Sequence, residues 1–445
     1  MTKLKVIITI GFITALSLLS CINSTSAVTL KIQYKSDREL AQAILANPDL
    51  KLVLDKARQL LSTGLRAGSG YREVWIRDLN TFIELALDVQ PQSEIRLALL
   101  NFFHFQGDDG NIIDGYVPKS KANVSYKYIK SKSRPEYLAH KNTVETDQES
   151  SLIQAVHKYV LKTNDRDLLN ENINGQTVLQ RMEFSLQFLL EHRYVKKYRL
   201  LWGATTADWG DVQPEHSWGV EIDDKTHRTI DIYDNAMFII ALNNFLDLAG
   251  PKFPRKSQWQ TQLRQFRQNT MLHLWDTSRH KFIPHIYLEG SPFPDDFDEN
   301  RIYYHGGTTI AMEASLLSSK QVHQVYRDMI NNKRFIDAGS IGLTLYPCYP
   351  AGFFANRGMG PWSYQNGGDW TWFGGRTIQQ LVRHGFIAEA YREALPMIER
   401  VKQNDGFYEW YTVENKPNGS GLFRGSAGVL GKAILMLQDW AKQNK

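Results

Sequence analysis

The chain has 445 residues, 42% hydrophobic and 22% charged, with a formal charge of +5 spread along its length. This is the make-up of a globular protein with ample core, and it lacks the basic block that marks nucleic-acid binding. Its two cysteines, Cys21 and Cys348, exclude a thiolate zinc site and, once a leader is removed, any internal disulfide.

Lys3 and Lys5 precede an apolar run from Val6 to Leu19, too short for a comfortable membrane span, which reads as an export signal. Cleavage after Ala27 is one way to process it. Lipidation of Cys21, within Leu18-Leu19-Ser20-Cys21, is the other. The expected organisation is a signal over 1–27 and one domain over 28–445, in a protein that is periplasmic, secreted or anchored by lipid.

Ser36-Asp37 and Asn47-Pro48-Asp49 open two predicted helices ending near Gly64. Tyr71 to Asp78 runs into an apolar helix over Leu79–Leu87. Loops at 107–118 and a Lys/Ser/Tyr-rich connector to about 140 lead to Val144–Glu149, which opens a helix through Leu161. Helices are predicted over Asp165–Asn170 and Val178–Glu191, then over Thr229–Leu248, mostly apolar and expected to be buried on most sides, and over Trp259–Leu274. A hairpin and a Pro/Asp-rich loop fill about 280–305, where Asp295, Asp296 and Asp298 read as a solvated loop, with calcium binding the alternative. Further helices fall near 307–332 and over about 375–384, 386–403 and 426–441. Helices in pairs, little β-branched alternation and no repeat of solenoid length predict an all-α closed ring of helical hairpins.

The loops before these helices are rich in Trp, Gly, Asp and Asn. The densest is Pro361 to Gly375, with four glycines, three tryptophans, Gln365-Asn366 and Asp369. Flat apolar faces beside amide donors and acceptors suit a sugar, with its apolar ring faces and rim of hydroxyls. A tight turn leading into a buried helix is the alternative. Asp369 is expected to cap the next helix or orient the loop.

Cleaving a glycosidic bond needs two carboxyl groups, and three places offer acids among aromatics. Asp208 and Asp211 flank Trp209 and Gly210, downstream of Trp202. Two buried acids so close would repel, raising one pKa as a general acid requires; an Asx turn or a cap is the alternative. Glu409 lies in Phe407-Tyr408-Glu409-Trp410-Tyr411, where desolvation would raise its pKa toward that of a base; a surface Glu on an edge strand is the alternative. Arg77-Asp78, after Trp75, pairs a donor and an acceptor for neighbouring hydroxyls, unless Asp78 is a helix cap and Arg77 solvated. No histidine spacing suits a metal, and neither a GK[ST] phosphate loop nor a GxSxG elbow occurs.

Trp362-Ser363-Tyr364-Gln365-Asn366-Gly367-Gly368-Asp369-Trp370 resembles the W-S-Y-x-N-G-G-x-W stretch of the neutral/alkaline invertases. Tyr346-Pro347-Cys348 upstream and Tyr408-Glu409-Trp410-Tyr411 downstream are similar to segments in the same order there. Trp75-Ile76-Arg77-Asp78 resembles both an invertase segment and the Trp-x-Arg-Asp of glucoamylases, and Thr146-Asp147 resembles the start of an invertase helix. The resemblance is to six-hairpin glycosidases as a group. It implies an (α/α)6 toroid, an inverting hydrolase without cofactor, Glu409 as base, and a glucoside or related glycan as substrate. The invertase Ile-Asp-Arg-Arg is missing. Asp208-Trp209-Gly210-Asp211 stands near its place, and glucoamylase spacing implies Asp211 as acid and Asp208 as a substrate ligand. The expected substrate-binding set is Trp75, Arg77, Asp78, Asp147, Trp202, Trp209, Tyr364, Gln365, Asn366, Trp370 and Tyr411. A sugar phosphorylase on the same fold and a non-catalytic glycan-binding surface lipoprotein are the alternatives.

Overall fold

The structure, a computed structural model, describes residues 34–123, 127–141, 144, 146–217 and 221–445. The expected export signal and Cys21 lie outside the described residues. Thirteen α-helices run along the described chain: α1 (Asp37–Ala46), α2 (Pro48–Leu61), α3 (Ile76–Ala86), α4 (Gln92–His104), α5 (Gln148–Thr163), α6 (Val178–His192), α7 (Ile232–Ala249), α8 (Lys256–Leu274), α9 (His305–Glu313), α10 (Ser319–Phe335), α11 (Thr371–Arg383), α12 (Ile387–Gln403) and α13 (Arg424–Gln443). Their starts are written in the sequence. Ser36 and Asn47 cap α1 and α2 through their side chains, and Thr177 with Gln180 and Ser318 with Gln321 form capping boxes for α6 and α10.

The packing closes on itself. Helix α3 packs against α5, α5 against α7, α7 against α9, α9 against α11, α11 against α13, and α13 returns to α3. The even-numbered helices lie outside this ring, each against its inner neighbours, and α1 adds a further outer helix on α13. This is the expected (α/α)6 toroid. Burial follows the layering: the inner α7 buries residues on nearly every side, whereas the outer α8 buries only Trp259, Phe266, Thr270 and Leu274.

Some boundaries differ from expectation. Residues 166–170 form a 3-10 turn instead of an α-helix. Arg228–Ile230 is a short strand, and α7 starts only after Asp231 caps it. Helix α4 occupies a span left unassigned in the sequence. Helix α11 begins four residues before the expected position 375, taking Gly374 and Gly375 into its second turn. Those two glycines are needed for contact: a Cβ on Gly374 would strike Met397, and one on Gly375 would meet the backbone of Leu430 at 3.1 Å.

Candidate functional site

The loops rich in Trp, Gly and acids precede the inner helices, so the fold gathers them at one end of the ring. There they surround a cavity of about 210 Å³. Its walls come from the starts of α3 (Trp75, Arg77, Asp78), α5 (Gln148), α11 (Trp370, Trp372) and α13 (Phe423), and from the loops carrying Trp209, Asp211 and Glu409. Carboxylates are favoured where several helix N-termini point.

Glu409 lies on strand Tyr408–Tyr411, paired with Pro417–Gly421. Tyr408 faces Gly421 and Trp410 faces Asn418, so Gly419 and Ser420 both stand opposite Glu409. Such a bulge turns a side chain out of the regular ladder. Glu409 is 5% exposed. Its Oε1 accepts from the Tyr71 hydroxyl at 2.7 Å and its Oε2 from Ser420 N at 2.7 Å. Burial raises its pKa above the ordinary glutamate value; these two hydrogen bonds oppose the rise, and the nearby Asp211 adds to it.

The two acids of the Trp209 loop separate. Asp211 lines the cavity, its N–H donating to Gln365 Oε1 at 3.2 Å. Asp208 does not line it. Its carboxylate accepts from Gly306 N at 2.7 Å and Gly307 N at 2.8 Å, the first-turn amides of α9, and its backbone is left-handed at φ 58°. A side chain on Gly306 would strike the Trp209 ring, so the loop lies directly on this helix end. Trp209 in turn meets Trp370 edge-on at 4.7 Å and Trp372 at 5.2 Å.

Arg77 and Asp78 occupy the first turn of α3, and neither plays the bland part. No side chain caps α3, and Asp78 is not its cap residue. The Arg77 guanidinium is held by Asp147 (Nε to Oδ2, 2.8 Å; Nη2 to Oδ1, 3.3 Å). Asp147, fully buried, also accepts from the Tyr233 hydroxyl at 2.6 Å. Asp147 therefore stands behind Arg77 and not in the cavity. Asp78 faces Glu409 and Asp211; burial, then the Glu409 charge, pushes its carboxyl up to about 7, against the pull of Arg77.

The stretch from 361 to 375 divides as well. Tyr364, Gln365 and Trp370 line the cavity. Asn366 lies behind it, fully buried and bonded to the backbone of Tyr349 and Met359. Asp369 caps nothing. It is buried in an ion pair with Arg400, accepts from Ser340 N and Oγ, and exchanges backbone hydrogen bonds with Tyr411. It thus orients the loop and ties it to the strand of Glu409. Tyr411 is buried under Arg400, 4.2 Å from ring centroid to guanidinium carbon. Trp202 lies on a separate surface groove, between Arg193 at 4.4 Å and Arg228 at 5.2 Å.

Tyr71, Trp372, Phe423, Asp114, His140 and Lys141 also line the cavity, and the sequence reading did not single them out. Tyr71 had a signal, since it opens the Trp75-Arg77-Asp78 segment. Trp372 had one too, lying in the 361–375 stretch; Asp114, His140 and Lys141, around the ends of two paired strands, and Phe423, just ahead of α13, meet only through the fold. Among the described residues, several buried polar atoms with no hydrogen-bond partner belong to cavity-lining side chains: Trp75, Trp209 and Trp372 Nε1, and Asp78 and Asp211 Oδ1. Unsatisfied buried groups are costly unless something binds them. Indole donors interleaved with carboxylate acceptors fit a polyhydroxylated ligand.

No family model and no curated protein matches the sequence. Among solved structures, the fold is similar to that of an uncharacterized conserved protein from Thermus thermophilus, with TM-score 0.61 and 16% identity over 85% of this chain and 99% of that one. It is similar to a GH63 mannosylglycerate hydrolase from the same organism in complex with glucose, with TM-score 0.61 and 14% identity over 87% and 99% of the two chains. A rhamnosidase from Klebsiella oxytoca with rhamnose bound gives TM-score 0.56 and 15% identity, over 87% of this chain and 63% of its own.

Proposed function

We propose that this protein is a glycoside hydrolase acting by single displacement with inversion. One observation carries the reading: Asp211 and Glu409, far apart in sequence, line one aromatic-walled cavity at the N-terminal ends of the inner helices. Asp211, as the general acid, gives its proton to the glycosidic oxygen as the bond from C1 to that oxygen breaks. Glu409, ionised, takes a proton from the water that attacks C1 from the opposite face. Arg77, Asp78, Gln365, Trp209 and Trp370 hold the sugar at the non-reducing end. The sugar complexes of the Thermus and Klebsiella neighbours support a carbohydrate substrate. Invertase-like Trp362–Trp370 supports the group, while the missing Ile-Asp-Arg-Arg argues against sucrose. The N-terminal sequence supports export, with cleavage after Ala27 or lipid on Cys21.

The test is a panel of disaccharides and glycosides, with the anomer first released read by NMR and the products compared with and without phosphate. Inverted anomer, phosphate independence and inactivity of Glu409→Gln are expected. Retained configuration overturns the mechanism, and sugar phosphate as product replaces hydrolysis by phosphorolysis.

A further inference from the structure

A ring of hairpins has one junction that chain connectivity does not make: the one between its first hairpin and its last. Here α13 packs against α2 and α3, and the loops above the helices are stitched together. Arg424 N donates to Ala67 O at 2.7 Å, Arg424 Nη1 to Arg66 O at 2.7 Å, and Ser69 N to Gly421 O at 2.8 Å. Gly70 N donates to Ser420 Oγ at 2.9 Å. Gly68 lies against the same strand so closely that a Cβ there would strike Ser420 Oγ and meet Gly421 O at 3.1 Å.

Glu409 sits across this junction. One of its oxygens is held by Tyr71, from the first hairpin, and the other by Ser420 N, from the last. The bulge makes the second contact: Gly419, at φ 67°, and Ser420 share one opposing residue, which leaves the Ser420 amide to the Glu409 carboxylate instead of the ladder.

We propose that Ser420 is a positioning residue, whose hydroxyl, fixed by Gly70 N–H, sets its own amide on Glu409 and so makes the geometry of the base depend on closure of the ring. The inference rests on Glu409 being the base. The charged and titratable groups facing Glu409 are Tyr71, Asp78 and Asp211, with Arg77 beside Asp78. The Ser420 hydroxyl bonds none of them directly, its partners being Gly70 N and Gly421 O, so a change in the titration of the base reports on the junction that Ser420 closes.

The experiment compares wild type, Ser420→Ala, Ser420→Thr and Gly68→Ala on a substrate found in the glycoside panel, with kcat, KM, thermal melting and the pH profile of kcat/KM. Ser420→Ala lets the amide drift from the carboxylate. Loss of that hydrogen bond raises the pKa of Glu409, so the acid limb of the profile moves to higher pH by about half a unit. A fall in kcat of about five- to tenfold accompanies it, the effect of one ordinary hydrogen bond, with KM nearly unchanged. Gly68→Ala, which wedges the junction, moves the limb the same way, and Ser420→Thr, which keeps the hydroxyl, restores it. An acid limb that stays in place in both Ser420→Ala and Gly68→Ala, whatever happens to the melting temperature, overturns the proposal. Glu409→Gln separates the premises. Inactive Glu409→Gln with an unmoved limb in Ser420→Ala rejects only this inference, whereas active Glu409→Gln rejects the base assignment and the inference with it.

Discussion

The Tyr71 hydroxyl donates to Glu409 Oε1 at 2.7 Å, joining the loop ahead of the first inner helix to the strand ahead of the last. The phenol is buried and faces three carboxylates, which keeps it protonated and therefore a donor. Tyr71→Phe removes the donor and keeps the ring against Trp75 and Phe423. The expected result is a loss in kcat of about tenfold, typical of one hydrogen bond to a charged group, with little change in melting temperature. The acid limb of kcat/KM should move to higher pH, because Glu409 loses a bond that favours its ionised form. Steady-state kinetics across pH check both.

Asp208 and Asp211 are three residues apart and should fail in different ways. Asp211→Asn removes the proposed proton donor, and its Oδ1 has no hydrogen-bond partner to lose among the described residues. Hydrolysis of an ordinary glycoside is expected to fall by about 10²- to 10⁴-fold. A glycosyl fluoride or dinitrophenyl glycoside, whose leaving group needs no proton, should recover most of the rate. Asp208→Asn turns an amide toward Gly306 or Gly307 N–H, loosening the loop from α9. A stability loss of about 1.5–3 kcal/mol is expected, read by chemical denaturation, with no selective recovery on the activated substrate.

Asp78 gives the protein a pH dependence of its own. Its carboxyl is raised from the usual aspartate range to about 7 by burial and the Glu409 charge. A carboxyl with a higher pKa folded than unfolded binds protons more tightly in the native state. Its contribution to stability is therefore fully present below the unfolded value, near 4, and is lost as pH rises through about 7. Melting temperatures measured from pH 4.5 to 8 should show this decline in the wild type. Asp78→Asn, which cannot titrate, should flatten it. An unchanged slope in the variant would place the titration elsewhere.

The fold was largely legible because helix starts and apolar faces are local signals. Ser36, Asn47, Thr177 and Ser318 mark their helices in the sequence. Helix α4 was not legible: it follows Pro91 without a side-chain cap, and its nearly unbroken buried run from Ala98 to Phe103 has no helical period. The site was legible as a set of loops but not residue by residue. Asn366 and Gln365 are adjacent amides in one sugar-like stretch; backbone groups of Tyr349 and Met359 absorb the first, while the second faces the cavity. Asp208 and Asp211 share the same Trp and Gly neighbours, and only the arrival of α9 from a hundred residues away decides between them. Trp202 has the composition of a binding residue, yet lies between two arginines on another face.

Asp369 tests whether the organising stretch is a scaffold or part of the chemistry. Its carboxylate is completely buried, and Arg400 holds its pKa below the usual range against the cost of burial. Removing one partner of such a pair leaves a buried charge uncompensated, which costs about 3–5 kcal/mol. Arg400 cannot relieve this by moving, because it is packed over Tyr411 and close to Gly339. Asp369→Asn should therefore lower the melting temperature substantially. The backbone hydrogen bonds between residues 369 and 411 do not involve the lost charge and keep the Glu409 strand in place. Below its melting transition the variant should retain kcat within a few-fold of wild type, while Asp211→Asn melts normally and is nearly inactive. The opposite pattern, a stable but inactive Asp369→Asn, would move the proton donor from the Trp209 loop to the stretch around Trp370.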